Sequence, residues 1–263
     1  MLSEFAATDL RGLAAAYAAD GCAVVRGVLD RDFVAELDRH IDWLIERHPG
    51  LRPERLGHWL VARDPFWVRF ISDRRLLDVA EALVGPDIAF FAADYIAKPP
   101  ADGRPVLWHQ DGNYWPLEPM DVVTVWFAVS KVSRDNGCVR VIPGSHLLGP
   151  LAHQSQEERA NLLNSEVEPT AFDQGAAVHI ELEPGDISVH HPLVIHGSEA
   201  NTSDRWRRGG SIQYMPSTTR IAAEWPCAFL LRGGGDPRLN AYRSKPRYVE
   251  GQHMPFKGCG DWA

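Results

Sequence analysis

Four cysteines, Cys22, Cys138, Cys227 and Cys259, are scattered through 263 residues, and no two form a Cys-x-x-Cys pair. That scarcity argues against a zinc knuckle or a disulfide scaffold and suits reduced thiols in the cytoplasm. No apolar run approaches the roughly 20 residues that a spanning helix needs. The opening MLSEFAATDLRG has acidic residues early and no basic start followed by an apolar stretch, unlike a secretion signal. Basic charge is also in short supply. Lys and Arg number 27 against 35 Asp and Glu, for a formal net charge of −8. That balance disfavours a long polyanion such as DNA but leaves room for a local basic pocket that takes a small anion. Internal repeats, low-complexity tracts and linkers are absent as well. The expectation is a soluble, cytoplasmic protein with a small-molecule partner, bound to neither nucleic acid nor membrane, and with no sequence mark of oligomeric state.

What is present is an ordinary globular composition, 45% hydrophobic and 24% charged. The first third reads as mostly helical. Leu10 to Ala19 is Ala-rich and stops at Gly21, and Cys22 to Val25 is a short apolar run that suits a first strand. A second helix is predicted from Asp30, a good N-cap, to about His48, ahead of Pro49-Gly50. Within it Phe33, Leu37, Ile41 and Leu44 make one apolar stripe. A third helix is predicted from Asp73 to Leu83, closed by Gly85-Pro86.

From residue 88 the period changes. Ile88 to Ala97, Val122 to Val132, Cys138 to Ile142, Ala177 to Leu182 and Ile187 to Ile195 are short β-branched and aromatic runs. Turn signals such as Asn136-Gly137, Pro143-Gly144 and Pro184-Gly185 separate them. Strands without intervening helices point to an antiparallel sandwich or jelly roll. Residues 150 to 175 are polar and aperiodic, an excursion with room for a short helix. The chain is therefore expected to be one domain over 1–263: a helical layer over 1–86, a β core over 87–220 and an extension over 221–263.

The chemistry concentrates in Leu107-Trp108-His109-Gln110-Asp111. In a strand, His109 and Asp111 share a face, because successive side chains alternate. Two imidazoles and a carboxylate on one face of an octahedral ion are the ligand set of non-haem iron(II) oxygenases. The third ligand is sought on the downstream run, where His190, His191 and His196 compete. Iron in this ligand set keeps open positions that suit a chelating 2-oxo acid and dioxygen. A dicarboxylate co-substrate needs a fixed cation for its far end, which Arg meets with two parallel hydrogen bonds. Arg207 lies 11 residues after His196, whereas the same step from His190 or His191 lands on Asn201 or Thr202. His196 is the better choice. His146, after the Pro143-Gly144 turn, is set aside as structural.

In this setting the chain resembles the phytanoyl-CoA dioxygenase family of iron(II)- and 2-oxoglutarate-dependent oxygenases. The resemblance runs from about Asp94 to Tyr214. It rests on Lys98-Pro99-Pro100, Trp108-His109-Gln110-Asp111, Trp126, Asn136-Gly137-Cys138 with Pro143-Gly144-Ser145-His146, Pro184-Gly185-Asp186, and His196-Gly197-Ser198 through Asn201 to Arg207. It implies a mainly β (α+β) double-stranded β-helix, a cupin-like jelly roll, under an N-terminal layer of helices. It implies His109, Asp111 and His196 as iron ligands, and Arg207 as the anchor for the distal carboxylate of 2-oxoglutarate, helped by Ser198. Lys98 matches a lysine that helps hold the co-substrate in some relatives, and Trp126 an aromatic of the same pocket. A solvated lysine and a core tryptophan are the plainer readings of those two. Arg205 and Arg208 are expected to face solvent or acidic surface.

The resemblance further implies consumption of Fe(II)-activated dioxygen and 2-oxoglutarate, with release of succinate and carbon dioxide and oxidation, most simply hydroxylation, of a substrate C–H bond. Asp111 matters here, since halogenating relatives carry a small residue at that place. Asn113, Tyr114 and Trp115 are expected to border the substrate, and Ser211 and Gln213, which share strand parity with Arg207, to shape its pocket. The substrate is read as a small metabolite. The rivals are an acyl-CoA hydroxylase of the same family, an inactive cupin-like metal-binding module, and a nucleic-acid demethylase, which the acidic balance disfavours.

Overall fold

The computed structural model describes residues 2–158 and 160–263. Its strands, numbered in chain order, form two facing sheets and two small two-stranded pairs. The larger sheet has seven strands in the order β1 (Glu4–Ala6), β2 (Cys22–Arg26), β11 (Ile187–His190), β6 (Val123–Ala128), β13 (Gly209–Pro216), β3 (Ile88–Tyr95) and β15 (Phe229–Arg232). The smaller has β10 (Val178–Ile180), β7 (Val139–Val141), β12 (His196–Ser198) and β4 (Val106–His109). β5 (Leu117–Glu118) pairs with β14 (Arg220–Ile221), and β8 (His153–Ser155) with β9 (Ser165–Val167). This is the expected jelly roll. The hairpin β8–β9 occupies the polar excursion for which a short helix was allowed, and no α-helix lies there among the described residues.

The helices form where capping and stripe coincide. α1 (Leu13–Asp20) ends at Gly21, whose φ of 72° is the left-handed value that glycine adopts without cost. α2 (Arg31–Arg47) starts where Asp30 accepts the Phe33 N–H at 2.8 Å, and it buries Phe33, Leu37, Ile41 and Leu44. α5 (Arg74–Val84) starts at Asp73, which accepts the Arg75 N–H. Two short helices, α3 (His58–Val61) and α4 (Pro65–Ile71), add the aromatic layer Phe66, Trp67 and Phe70. No helix of the described residues is long and apolar enough to cross a membrane.

Alternation along the strands divides the main sheet between two jobs. Ala23, Val25, Val123, Val125, Phe127, Ile187, Val189, Ile212 and Tyr214 point at the helices and share one core with Leu13, Leu37, Phe70 and Val79. The opposite parity faces the smaller sheet and lines a cavity. The three-way division expected from sequence is blurred at both ends. β1 and β2 come from the helical segment and β15 from the C-terminal extension, yet all three are strands of the main sheet.

Candidate functional site

Backbone pairing sets two imidazoles side by side. His109 ends β4, His196 begins β12, and the two are partners in an antiparallel ladder, with ring centroids 4.0 Å apart. The close approach needs Gly197, where a Cβ would stand 2.8 Å from the Val106 carbonyl oxygen. Asp111 lies beyond the strand, at the start of a 3-10 turn over Asp111–Asn113. The shared face survives because Gln110, at φ −115° and ψ 125°, stays extended. Its own side chain goes the other way, where it donates to the Gly149 and Leu193 carbonyls and accepts from Leu151 N–H.

His109 Nε2 is 3.3 Å and His196 Nε2 is 3.7 Å from Asp111 Oδ1, and one ligand atom from each residue lies within 4.8 Å of the others. Facial ligands about 2.1 Å from a common ion stand roughly 3 Å apart, so the three groups fit a metal with small adjustment. The ring orientation agrees. Nδ1 of His109 faces the Leu107 carbonyl at 2.9 Å and Nδ1 of His196 the Val194 carbonyl at 3.1 Å. Each Nδ1 therefore carries the proton and leaves the Nε2 lone pair free. Burial, then the neighbouring His109, depresses the His196 pKa well below the ordinary value, which keeps the ring neutral. Burial alone would raise Asp111, but the adjacent His196 and a hydrogen bond from His190 outweigh it and hold its pKa well below the usual carboxylate range.

A second set of side chains holds that carboxylate. Thr124 Oγ1 donates to Asp111 Oδ2 at 3.0 Å, and His190 Nε2 lies 3.2 Å from the same oxygen. Oδ2 is thus taken by the protein, and Oδ1 is the oxygen turned to the two histidines. Thr124 and His190 are cross-strand partners on the inner face of the main sheet. His190 is not in the triad, but neither is it a bystander.

The Arg207 guanidinium is fully buried on the cavity wall, donating to the Gly137 and Ile96 carbonyls at 2.7 and 2.9 Å. Its Nε has no partner, and among the described residues no carboxylate lies within ion-pair distance. Burial lowers its pKa to about 10, which still leaves it cationic at neutral pH. Its carbon sits 5.2 Å from the centroid of the Trp126 ring. A buried cation without a counter-ion is an anion site in waiting. The cavity that joins this arginine to the triad has a volume of about 480 Å³.

The phytanoyl-CoA dioxygenase (PhyH) family model matches residues 17–209. The chain belongs to that family. It is 32% identical over 161 residues to a probable phytanoyl-CoA dioxygenase of Caenorhabditis elegans, covering 58% of this chain and 52% of that protein. It thus spans about half the length of the curated relatives it matches. Two solved structures share the fold. The non-heme monooxygenase ThoJ superposes with a TM-score of 0.77 at 24% identity over 89% of this chain and 88% of that one. The epimerase SnoN, in complex with Fe3+, alpha ketoglutarate and nogalamycin RO, gives 0.66 at 24% identity over 95% and 96%.

Within this family member the remaining expected site residues divide. Ser198, Trp126, Trp115, Ser211 and Gln213 line the cavity. Lys98 does not. It is fully buried behind the wall, where Nζ donates to Ser198 Oγ at 2.7 Å and to the Glu199 carbonyl. Burial, then the nearby Arg207, pulls its pKa well down. Lys98 braces Ser198 from behind the cavity wall. Asn113 is also corrected: it is exposed on the turn and off the wall, whereas Tyr114, expected beside it, lines the cavity. Arg205 pairs with Asp135 at the surface and Arg208 with Asp38 and Asp42, as expected. His146 packs on α1, with Nε2 3.1 Å from the Ala18 carbonyl. Thr124 and Asp94 line the cavity without having been singled out as site residues, and His190, weighed as the third ligand and set aside for His196, lines it too. Their signal was a polar side chain inside a run of otherwise apolar strand residues.

Proposed function

We propose that this chain is an Fe(II)- and 2-oxoglutarate-dependent dioxygenase that oxidises, most simply hydroxylates, a C–H bond of a small-molecule metabolite. One observation carries the reading: a facial triad of two neutral imidazoles and one carboxylate shares a cavity with a buried arginine that lacks a counter-ion. His109, Asp111 and His196 would hold the iron, which when bound supplies the activation of dioxygen that none of the side chains can perform.

The other roles follow from charge. Two neutral rings and one carboxylate leave a ferrous ion with a net +1, which favours a dianionic chelator. Arg207 then offsets the far carboxylate, and the Ser198 hydroxyl, oriented by Lys98, adds a hydrogen bond. Trp126 forms the apolar floor between them. Thr124 and His190 keep Asp111 ionised and turned, so that its second oxygen stays off the ion. A cavity of about 480 Å³ is the size that holds a drug-sized ligand, which favours a free metabolite over a coenzyme A thioester for the part that enters.

The test is an anaerobic titration of Fe(II) with 2-oxoglutarate. A visible charge-transfer band should appear in the wild type and vanish in His109→Ala. Succinate release that depends on an added organic substrate then separates an oxygenase from an inert metal-binding module. A band that persists in His109→Ala sinks the ligand assignment.

A further inference from the structure

Two acceptors on the inner face of the main sheet lack the cation or donor that would satisfy them. Asp94, on β3, is the one carboxylate of the cavity wall that neither belongs to the triad nor pairs with an arginine or lysine. Glu54, the other wall carboxylate, is bound to Arg52 at 2.9 Å. Asp94 accepts the backbone N–H of His58, whose Nδ1 stands 4.0 Å from Oδ1, too far for a hydrogen bond. That ring is committed to Trp225, stacked at 4.9 Å with planes 13° apart. The second acceptor is Gln213 Oε1, on β13, buried on the same wall at 3% exposure with no partner.

Register places these two groups together. Asp94 is opposite Ser211 and Ala92 opposite Gln213, so Asp94 and Gln213 are diagonal neighbours on one face, roughly 7–8 Å apart at the backbone. Asp94 reaches that face only through a bulge. Ile88 and Phe90 point at the helices, and so do Ala93 and Tyr95. The register shift between Gln213 and Tyr214 inserts one residue and moves Ala92 and Asp94 to the cavity side. Room for the carboxylate comes from Gly57, where a Cβ would stand 2.7 Å from Asp94 Oδ1 although the backbone is ordinary extended chain. The neighbouring wall is a rigid aromatic stack: Trp225 lies flat on Phe91 at 4.3 Å, and Trp115 meets Phe91 edge-on at 5.8 Å.

An unpaired carboxylate and an amide oxygen, side by side and backed by aromatic rings, ask for a group with several N–H donors and a positive charge. An ammonium has three such donors and no acceptor. We propose that Asp94 and Gln213 form a substrate subsite for a protonated amine carried on a small ring or other apolar skeleton. The word substrate rests on the oxygenase reading, but the amine site itself does not. The cavity is then polar end to end. Arg207 takes the dianionic co-substrate at one side, and Asp94, two strands away across Ser211 from Trp126, takes the cation at the other.

The experiment uses the purified full chain, with and without Fe(II) and 2-oxoglutarate under anaerobic conditions. The probes are phenethylamine, 2-phenylethanol and phenylacetate, together with the cyclohexyl analogues of all three, read by calorimetry and tryptophan fluorescence. The amines should bind about tenfold or more tightly than the alcohols and acids of the same skeleton. Asp94→Asn, which keeps shape and loses charge, should bring that preference within about twofold, and Gln213→Leu should weaken amine binding several-fold. The Fe(II)–2-oxoglutarate band should be unchanged in Asp94→Asn, which shows the variant is folded. Equal or better binding of alcohols or acids, a preference that survives Asp94→Asn, or no binding of any amine overturns the subsite. A wild type that prefers amines yet shows no charge-transfer band sinks the oxygenase reading and leaves the amine site standing.

Discussion

The two faces of the seven-stranded sheet are made by the same strands and obey opposite rules. On the helix side, Phe127 is fully buried against Phe70, with ring centroids 4.7 Å apart, and nearly every side chain is a hydrocarbon. One residue away on the same strand, Trp126 and Thr124 look into the cavity beside Ser188, His190, Ser211 and Gln213. The first face is satisfied by packing, and its two tyrosine hydroxyls, of Tyr95 and Tyr214, are hydrogen-bonded to His40 and the Ile71 carbonyl. The second retains polar atoms without partners, Ser188 Oγ, His190 Nδ1 and Gln213 Oε1 among them. Unmet polar groups cost stability, so a face that keeps several is arranged for something other than folding.

The sharpest way to break that contrast is to truncate the packed face. Phe127→Ala should cost about 3–5 kcal/mol in denaturant unfolding, from lost transfer energy and the cavity left behind. We infer that helices, both sheets and the C-terminal strand fold as one unit. The same melts should therefore show one cooperative transition, and two separable transitions would refute that. Next in size is Thr124→Val, nearly isosteric, which removes one of the two groups on Asp111 Oδ2. Metal affinity by competition titration should fall about 10–100-fold, the usual range for groups that orient a ligand. The unfolding free energy should change far less than in Phe127→Ala. An unaltered affinity would show that Oδ2 needs no clamp.

Ser188→Ala tests the cavity face for stability alone. Its hydroxyl is buried and unpartnered, so removal should leave stability unchanged or raise it by up to about 1 kcal/mol. A loss of more than about 1 kcal/mol would mean the two faces do not differ as described. The last test concerns pH. Burial first, then His146 and His190, push His191 down to about 4. The unfolded chain binds that proton near pH 6.5. This contribution is therefore complete above pH 6.5 and fades as pH falls towards 4. His191→Gln should flatten the acid limb of the stability curve across that window, and an unchanged slope would contradict it.

The comparison also shows where sequence is a good guide. Helix boundaries were legible because caps are local: Asp30, Asp73 and Gly21 act within a turn of themselves. The central strands were legible as apolar runs, whereas the short β1, β5, β8, β9 and β14 and the C-terminal β15 were not, and one run was misread. Ile187 to Ile195 reads as one strand ending at His196. In the structure Ile187–His190 belongs to the large sheet and His196–Ser198 to the small one, and the chain turns a corner between them. Hydrophobicity continues around the corner because both sides are buried. Pro192, which has no N–H for a ladder, was the available sign. The short helices α3 and α4 were missed for a related reason: seven residues, mostly buried, show no polar face to mark a period.

The candidate site divides the same way. Residue spacing singled out His109, Asp111, His196 and Arg207, because a ligand pair one residue apart and an arginine at a set distance are one-dimensional facts. Lys98, placed there by the resemblance, and Asn113, placed by its position just past the metal-binding strand, do not line the cavity. Depth behind a wall is not written in spacing.

By itself, the chain's order of residues settled which elements form and which side chains have metal-binding chemistry, since capping, alternation and donor type act over a few residues. Tertiary structure alone decided the rest. It paired β4 with β12 so that two histidines 87 positions apart became neighbours, set Thr124 and His190 on one oxygen of Asp111, and used a bulge to turn Asp94 inward. Those outcomes depend on register between distant strands, where a shift of one residue sends a side chain to the other face.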